Sequence, residues 1–181
     1  MKGIVFTEFL ELVESTFGLE TVDEIIQKSE LPSQGAYTSI GTYAFSEMLS
    51  LITNLSEKTK MSIDELLHVY GLHFFSVIER DYSGILQTYN GPMDLLSSVE
   101  SHIHVEVRKI YPDAELPRFE IVEKTDASLT LIYYSSRSMY AFAKGLMEKA
   151  FEHYNQKASI SYEKIKEDGS EVKFVVLRDE R

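Results

Sequence analysis

The spacing of apolar residues changes along this chain, and that change restricts the folds that it can adopt. Over roughly the first eighty residues apolar side chains recur at helical spacing, whereas several later segments alternate apolar and polar positions as strands do. The pattern predicts an α+β fold, with a helical N-terminal lobe and a C-terminal lobe built on a four-stranded antiparallel sheet with packed helices. We expect one domain, 1–181, in which residues 1–65 form the helical lobe and residues 66–181 the lobe with the sheet.

Four amphipathic helices are predicted in the first part of the chain. They are residues 4–17, a short helix from residue 21, a helix that includes 45–55 and a long helix from residue 62. Gly18 is the expected stop of the first helix. The capping boxes Thr21-x-x-Glu24 and Ser62-x-x-Glu65 are the expected starts of the second and fourth helices.

The sheet is predicted from four short segments in the second part of the chain. They are residues 119–122, residues 129–135 and the two arms of a hairpin around Asp168-Gly169. Residues 129–135 are apolar or aromatic at nearly every position, so we expect this strand to be covered on both faces. A helix should begin at Ser136, with an apolar stripe that comprises Met139, Phe142, Ala143, Leu146, Ala150 and Phe151.

The segment Ser101–Pro112 contains two histidines and fits either a strand or a helix. Three β-branched residues in it alternate with polar ones, as in a strand. When the upstream residues are included, a helical stripe emerges, which comprises Leu96, Val99, Ile103, Val107 and Ile110. We therefore favour a helix that is capped by Asp94 and ends at Tyr111-Pro112.

On such a helix the two histidines of the segment face different directions. His102 and His104 lie about 100° to either side of Ile103, so they are poorly placed to share one metal ion. Either can be an ordinary surface or half-buried residue. A single imidazole turned into a pocket could instead bind a cofactor.

A second group of polar residues follows in Tyr133-x-Ser135-x-Arg137. On an extended chain these three side chains point to the same face and bring two hydroxyl groups and one guanidinium together. This combination suits the binding of carboxylates. The alternative is the half-exposed end of a strand, with the tyrosine buried and the arginine solvated.

The composition excludes several functions. Lys and Arg total 18 against 29 Asp and Glu, a net charge of −11, which argues against nucleic acid and anionic membrane surfaces as partners. The absence of cysteine excludes disulfides, zinc ribbons, iron–sulfur clusters and thiolate-bound haem. The N-terminal residues lack the apolar core of a signal peptide, and no apolar run is long enough to span a bilayer. We expect a soluble, cytoplasmic monomer without membrane insertion.

The spacing of His104 from Tyr111-Pro112, followed by Tyr133-x-Ser135-x-Arg137, resembles the haem-nitric oxide/oxygen binding (H-NOX) family. That family includes the haem domain of soluble guanylate cyclase, and the chain is similar to its stand-alone bacterial members. The similarity extends to Pro117 and covers essentially the whole chain. It also covers the segment around Gly71, which indicates either close helix packing or a pivot between the lobes.

The resemblance implies a haem b cofactor held between the two lobes. His104, seven residues before Tyr111, would be the only protein ligand of the iron, and His102 would not bind it. Tyr133, Ser135 and Arg137 would hold the propionates. Pro117 would press on the haem.

The resemblance also assigns the wall of the pocket in which the gas binds. Members of the family that bind oxygen stably have a tyrosine five residues after the arginine of the motif, and Phe142 stands at that position here. The other residues assigned to this wall are apolar as well: Val5, Phe9, Phe74, Ile78 and Leu146. Without a hydrogen-bond donor the pocket should favour nitric oxide and carbon monoxide over oxygen.

The expected function is that of a haem-based nitric oxide sensor that is not an enzyme. Rupture of the bond between the iron and His104 would change the conformation, and a separate partner such as a histidine kinase or a cyclic-di-nucleotide enzyme would respond. The main alternative is a haem-free α/β module for a small ligand or a protein partner. A haem oxygenase or peroxidase is less consistent with an apolar pocket that lacks an acid or base.

Overall fold

Three helices and the first part of a fourth form the unit Met1–Tyr70 of the computed structural model, which describes residues 1–179. The helices are α1 (Gly3–Phe17), α2 (Leu19–Lys28), α3 (Phe45–Thr59) and α4 (Ile63–Asp81), and α4 continues into the second unit, which begins at Gly71. The core of the first unit is apolar and includes Phe6, Phe9, Val13, Ile25, Met48, Leu51 and Leu55. The predicted helical N-terminal region is confirmed.

One of the two predicted capping boxes is confirmed, and it lies at the start of α4. The backbone N–H and the hydroxyl of Ser62 both donate to Glu65 Oε2 at 2.7 Å, and the Glu65 N–H donates to Ser62 Oγ at 3.2 Å. These hydrogen bonds lower the pKa of Glu65, because they stabilise the ionised carboxylate.

The other predicted capping box, Thr21-x-x-Glu24, is wrong. Gly18 ends α1 as predicted, with φ of 87°, and its N–H donates to Glu14 O at 2.9 Å. Because this glycine turns the chain within one residue, α2 begins at Leu19 and Thr21 already lies inside it. The Thr21 hydroxyl donates to the carbonyl of Phe17 at 2.9 Å instead of capping the helix.

The histidine-containing segment is helical, as predicted, but it is not one continuous α-helix. It consists of α6 (Pro92–Ser97), a π-helical turn (Val99–Ile103) and α7 (His104–Ile110), and the short α5 (Ser83–Leu86) precedes it. In the π-helical turn the Ile103 N–H reaches back five residues to Ser98 O at 3.3 Å. The predicted cap at Asp94 is wrong, because α6 starts at Pro92 with Gly91 as its N-cap residue.

The C-terminal half contains the predicted four-stranded antiparallel sheet, and the α+β fold class is confirmed. Its strands are β1 (Arg118–Lys124), β2 (Ser128–Tyr134), β3 (Ala158–Lys164) and β4 (Glu171–Arg178), in the spatial order β1-β2-β4-β3. The edge strand β1 contains a bulge between Ile121 and Glu123, and the side chains of Ile121 and Val122 are exposed.

Strand β2 is buried on one face and half-buried on the other, so the prediction of two covered faces is confirmed for one face only. Its residues alternate between buried and half-buried side chains. The buried face of β2 and β4 comprises Leu129, Leu131, Tyr133, Val172, Phe174 and Val176. Aromatic and β-branched residues on the opposite face hid this alternation in the sequence.

Helix α8 (Tyr140–His153) begins four residues later than predicted. Ser138 has φ of 51°, which interrupts the chain before the helix, and the Met139 N–H donates to the buried Tyr133 hydroxyl at 3.0 Å. The buried residues of α8 differ in part from the predicted stripe, since Phe142 and Leu146 are only half-buried. They comprise Tyr140, Ala141, Ala143, Gly145, Met147, Ala150 and Phe151.

Gly71 in α4 lies directly against the backbone of α8. A Cβ atom at position 71 would be 2.1 Å from the carbonyl oxygen of Phe142 and 3.1 Å from Cα of Gly145. A side chain here would overlap with backbone, which cannot rotate away as a flexible side chain can. The contact favours close helix packing as the reason for this glycine.

We predict that Gly71→Ala destabilises the protein, because α4 and α8 must move apart to accommodate the methyl group. Overpacking of this kind costs about 1–3 kcal/mol. Gly84→Ala, in α5, is the matched control because a Cβ atom at position 84 would meet nothing within 4 Å, and it should leave stability unchanged or raise it slightly. Urea unfolding of both variants checks this, and equal midpoints for Gly71→Ala and the wild type would contradict it.

Candidate functional site

His104 is buried at the start of α7 with one ring nitrogen already engaged. Its side chain lies beside Glu100, with 3.2 Å between Nδ1 and Glu100 Oε2, and the residue is 7% exposed. Burial lowers the pKa of His104, and Arg108 adds to this effect, while the charge and hydrogen bond of Glu100 oppose it. The neutral imidazole that a metal requires is therefore favoured, and Nε2 is the nitrogen left for a ligand.

His102 has a different environment from His104, as predicted from the helical spacing. Its Nδ1 lies 2.6 Å from the Tyr89 hydroxyl, and its Nε2 lies 3.9 Å from Glu106 Oε1. The His102 side chain is 43% exposed. The two histidines thus belong to separate groups of residues.

A row of aromatic rings connects His104 to the inner face of the sheet. The Phe119 ring lies 5.9 Å from the His104 ring and 5.6 Å from the ring of Tyr133, measured between centroids. Tyr133 continues the row to Phe174, at 6.4 Å. Packing of this kind restricts the orientation of the imidazole.

Tyr133 and Ser135 remain neighbours, although the chain between Tyr133 and Arg137 is not extended. Strand β2 ends at Tyr134, and the Arg137 N–H donates back to Ser135 Oγ at 3.2 Å, so the predicted extended geometry is wrong. Burial raises the pKa of Tyr133, while hydrogen bonds with Ser135 and the Met139 N–H and the charge of Arg137 oppose the shift. The three residues thus span the end of β2 and the turn that follows it.

The guanidinium of Arg137 already binds a carboxylate in this structure. Its Nη1 donates to the backbone carbonyl of Glu115 at 2.9 Å, and its Nη2 pairs with the Glu115 carboxylate. The Glu115 side chain is 81% exposed, whereas that of Arg137 is 16% exposed. A surface pair of this kind contributes about 0–1 kcal/mol, so another carboxylate can take the place of Glu115.

The residues assigned to the gas-binding wall lie in both units. Val5 and Phe9 are on α1 in the first unit, where the carbonyl of Val5 accepts a hydrogen bond from Tyr70 at 2.5 Å. In the second unit the rings of Phe74 and Phe142 lie 5.6 Å apart. The other two wall residues of that unit, Ile78 and Leu146, are half-buried, and so is Pro117, which is assigned to the contact with the haem.

Sequence reasoning missed three residues of this site, namely Glu100, Phe119 and Glu115. A signal existed for Glu100, because it lies four positions before His104 on a predicted helix and such residues are neighbours. No comparable signal exists for Phe119 and Glu115, whose contacts depend on how the chain returns from α7 to β1.

Protein side chains alone do not form a metal centre in the part of the chain that the structure describes. Within residues 1–179 no group of three or more histidine, cysteine, aspartate or glutamate residues could hold a metal ion. In the same residues no helix is long and apolar enough to cross a membrane.

Residues 2–162 match the family model described as Haem-NO-binding, and solved structures of H-NOX proteins are similar over nearly the whole chain. The unliganded Fe(II) H-NOX protein from K. algicida is 64% identical, with a TM-score of 0.99, and the match covers 100% of this chain and 98% of that chain. The Fe(II)CO form of the H-NOX protein from Shewanella woodyi, bound to IWP-051, is 37% identical with a TM-score of 0.83, covering 99% and 95%. The chain therefore belongs to the Haem-NO-binding (H-NOX) family of haem-based gas sensors.

The chain is also similar to part of a longer curated relative. Soluble guanylate cyclase 89Db from Drosophila melanogaster is 26% identical over 141 residues, which is 76% of this chain. The matched region spans 21% of the length of that cyclase.

The described residues fit the haem that the family binds. His104 is buried, its Nδ1 is engaged, and its neutral form is favoured, as an axial ligand requires. Arg137 contacts a carboxylate of the kind that a propionate presents.

We predict that His104 and not His102 binds the iron. The variant His104→Gly should lose the visible spectrum of ferrous haem bound to histidine and recover it when imidazole is added, because the added imidazole occupies the position of the missing ring. The matched control His102→Gly should keep the wild-type spectrum. The reverse result for the two variants would show that the assignment is wrong.

Proposed function

We propose that this protein is a haem-based sensor of nitric oxide that discriminates against oxygen and has no catalytic activity of its own. The observation that supports it best is the buried His104, with Nδ1 held by Glu100 and Nε2 left for iron. The cofactor in this proposal is haem b, as the resemblance to the family implies, and the sequence has no cysteine that could attach a haem covalently.

In this proposal different polar residues of the chain bind different parts of the haem. His104 would bind the iron. The Arg137 guanidinium and the hydroxyl groups of Tyr133 and Ser135 would hold the propionates, in place of the contact between Arg137 and Glu115. Pro117, which precedes β1, packs against the haem in this proposal.

Selectivity for the gas follows from a wall without a hydrogen-bond donor. Bound oxygen is polar and is stabilised by a donor by about 1.5–3 kcal/mol, whereas bound nitric oxide carries little charge and does not need one. Phe142 and Phe74, whose rings are 5.6 Å apart, offer none. Carbon monoxide should bind for the same reason, and the similar protein from Shewanella woodyi was solved in its Fe(II)CO form.

The signal begins at His104. A ferrous haem held by His104 would supply an iron atom that binds nitric oxide, and its bond to His104 would weaken as a result. Release of His104 would free the start of α7, which follows directly on the π-helical turn. A partner protein can respond to this change only if it binds the two states with different affinities.

The partner in this proposal is a histidine kinase or a cyclic-di-nucleotide enzyme, as the similarity to bacterial members of the family suggests. The net charge of −11 argues against nucleic acid as the partner and is compatible with a basic protein surface.

We predict that the reduced protein binds nitric oxide and carbon monoxide but forms no stable oxygen complex in air. Phe142→Tyr should raise the affinity for oxygen by about tenfold or more, because the new hydroxyl donates one hydrogen bond to the bound gas. Phe142→Leu is the matched control, since it changes the side chain without adding a donor. Visible spectra of the three proteins under each gas provide the measurement, and a stable oxygen complex of the wild type would contradict the proposal.

The link between His104 and the output can be tested with a histidine kinase as the partner. We predict that His104→Gly reconstituted with imidazole affects kinase autophosphorylation as the nitric oxide complex of the wild type does. This variant keeps an imidazole on the iron but has lost its connection to α7. If it acts like the unliganded wild type, release of His104 is not the signal.

A further inference from the structure

We propose that Glu100 is a positioning residue that accepts the Nδ1 hydrogen of His104, strengthens the bond between His104 and iron, and so sets how readily nitric oxide releases it. This inference rests on the proposed function, because it concerns the same histidine.

The carboxylate of Glu100 is held from three directions. Its Oε2 lies 3.2 Å from His104 Nδ1 and accepts the Phe119 backbone N–H at 3.1 Å. Its Oε1 lies 3.9 Å from the guanidinium of Arg108. Because an ionised carboxylate can only accept hydrogen bonds, Nδ1 of His104 must be the donor, and the tautomer with a free Nε2 is fixed.

The backbone around Glu100 contributes to this arrangement. Glu100 lies in the π-helical turn, and His104 is the first residue of α7 after it. Inside the turn the N–H groups of Ile103 and His104 reach back five residues, to Ser98 and Val99. Such wide turns are rare in proteins overall, and those that occur are often found at functional sites. Glu100 and His104 are four positions apart, a spacing that brings side chains together on a helix, and they are in direct contact here.

A carboxylate acceptor changes the imidazole as a ligand. Partial transfer of the Nδ1 hydrogen toward Glu100 raises the electron density on Nε2 and therefore the basicity of the nitrogen that binds the metal. A more basic ligand binds iron more tightly, so nitric oxide releases it more slowly. The strength of the bond between His104 and iron is thus set in part by a residue that never touches the metal.

The same oxygen of Glu100 also connects His104 to the sheet. Phe119 is the second residue of β1, so its N–H ties the start of that strand to the π-helical turn. Movement of the His104 ring alters one of the two hydrogen bonds at this oxygen. Release of His104 is therefore transmitted to β1 as well as to α7.

The test compares Glu100→Ala and Glu100→Gln with the matched control Glu106→Gln. Glu106 lies on α7 and pairs with Lys109 at 2.5 Å. Haem content from the Soret band shows first whether each variant folds and binds haem. Resonance Raman spectra of the reduced proteins then report the iron–histidine stretching frequency, and stopped-flow spectra report how fast nitric oxide releases the histidine.

The expected order of iron–histidine stretching frequencies, from highest to lowest, is wild type, then Glu100→Gln, then Glu100→Ala, because the glutamine keeps a neutral acceptor and the alanine has none. Release of His104 by nitric oxide should be several-fold faster in Glu100→Ala. In the diamagnetic carbon monoxide complex of the wild type, the Nδ1 hydrogen of His104 should give a proton NMR signal protected from exchange, which Glu100→Ala lacks. Glu106→Gln should match the wild type in all three measurements.

The outcomes separate this inference from the proposed function. A wild-type protein without a Soret band would overturn the proposed function and the role of Glu100 with it. Normal haem binding in every variant, with an iron–histidine frequency that is unchanged in Glu100→Ala and Glu100→Gln, would overturn only the role of Glu100. If Glu106→Gln shifts the iron–histidine frequency as much as Glu100→Gln does, the role of Glu100 is also overturned, because the shift is then a general effect of charge. If Glu100→Ala does not fold, the iron–histidine frequency of Glu100→Gln alone tests the role of Glu100.

Discussion

Burial of one face of the four-stranded sheet is the constraint on which the second unit depends. Six side chains of β2 and β4 on that face are at most 1% exposed. Burial of a large apolar side chain contributes about 1.5–3 kcal/mol to the free energy of folding. Tyr133 is one of the six, and it can be buried because its hydroxyl accepts the N–H of Met139. The same burial brings Phe119 and His104 into the aromatic row, so the site is fixed by the core of the sheet.

The sequence predicted the types of element well and their boundaries less well. Periodicity identified the long helices and the sheet because burial of an apolar face dominates their stability. The capping predictions at Thr21 and Asp94 failed. In each case a glycine three residues earlier redirects the chain, so the helix begins before the residue whose side chain could cap it. The π-helical turn at 99–103 had no signal in the sequence, since its composition does not differ from that of an α-helix.

Some features of the candidate site were likewise predicted from the sequence, and others were not. The different directions of His102 and His104 followed from helical geometry, and the structure confirms them: His104 is buried, whereas the His102 side chain is 43% exposed. The geometry of Tyr133, Ser135 and Arg137 did not follow, because the end of β2 is set by the turn at 135–138 and not by the residues of the motif themselves. Contacts between distant parts of the chain, such as Glu100 with Phe119, depend on the path of the backbone and could not be read from spacing.

The bulge in β1 has a consequence for how the protein behaves at high concentration. An edge strand has backbone groups that can pair with a strand of another molecule. The exposed side chains of Ile121 and Val122 would favour such pairing of β1. The bulge between Ile121 and Glu123 breaks the regular register that a new strand would need, and Glu120 and Glu123 add negative charge beside it. The irregular strand therefore protects the protein against edge-to-edge aggregation.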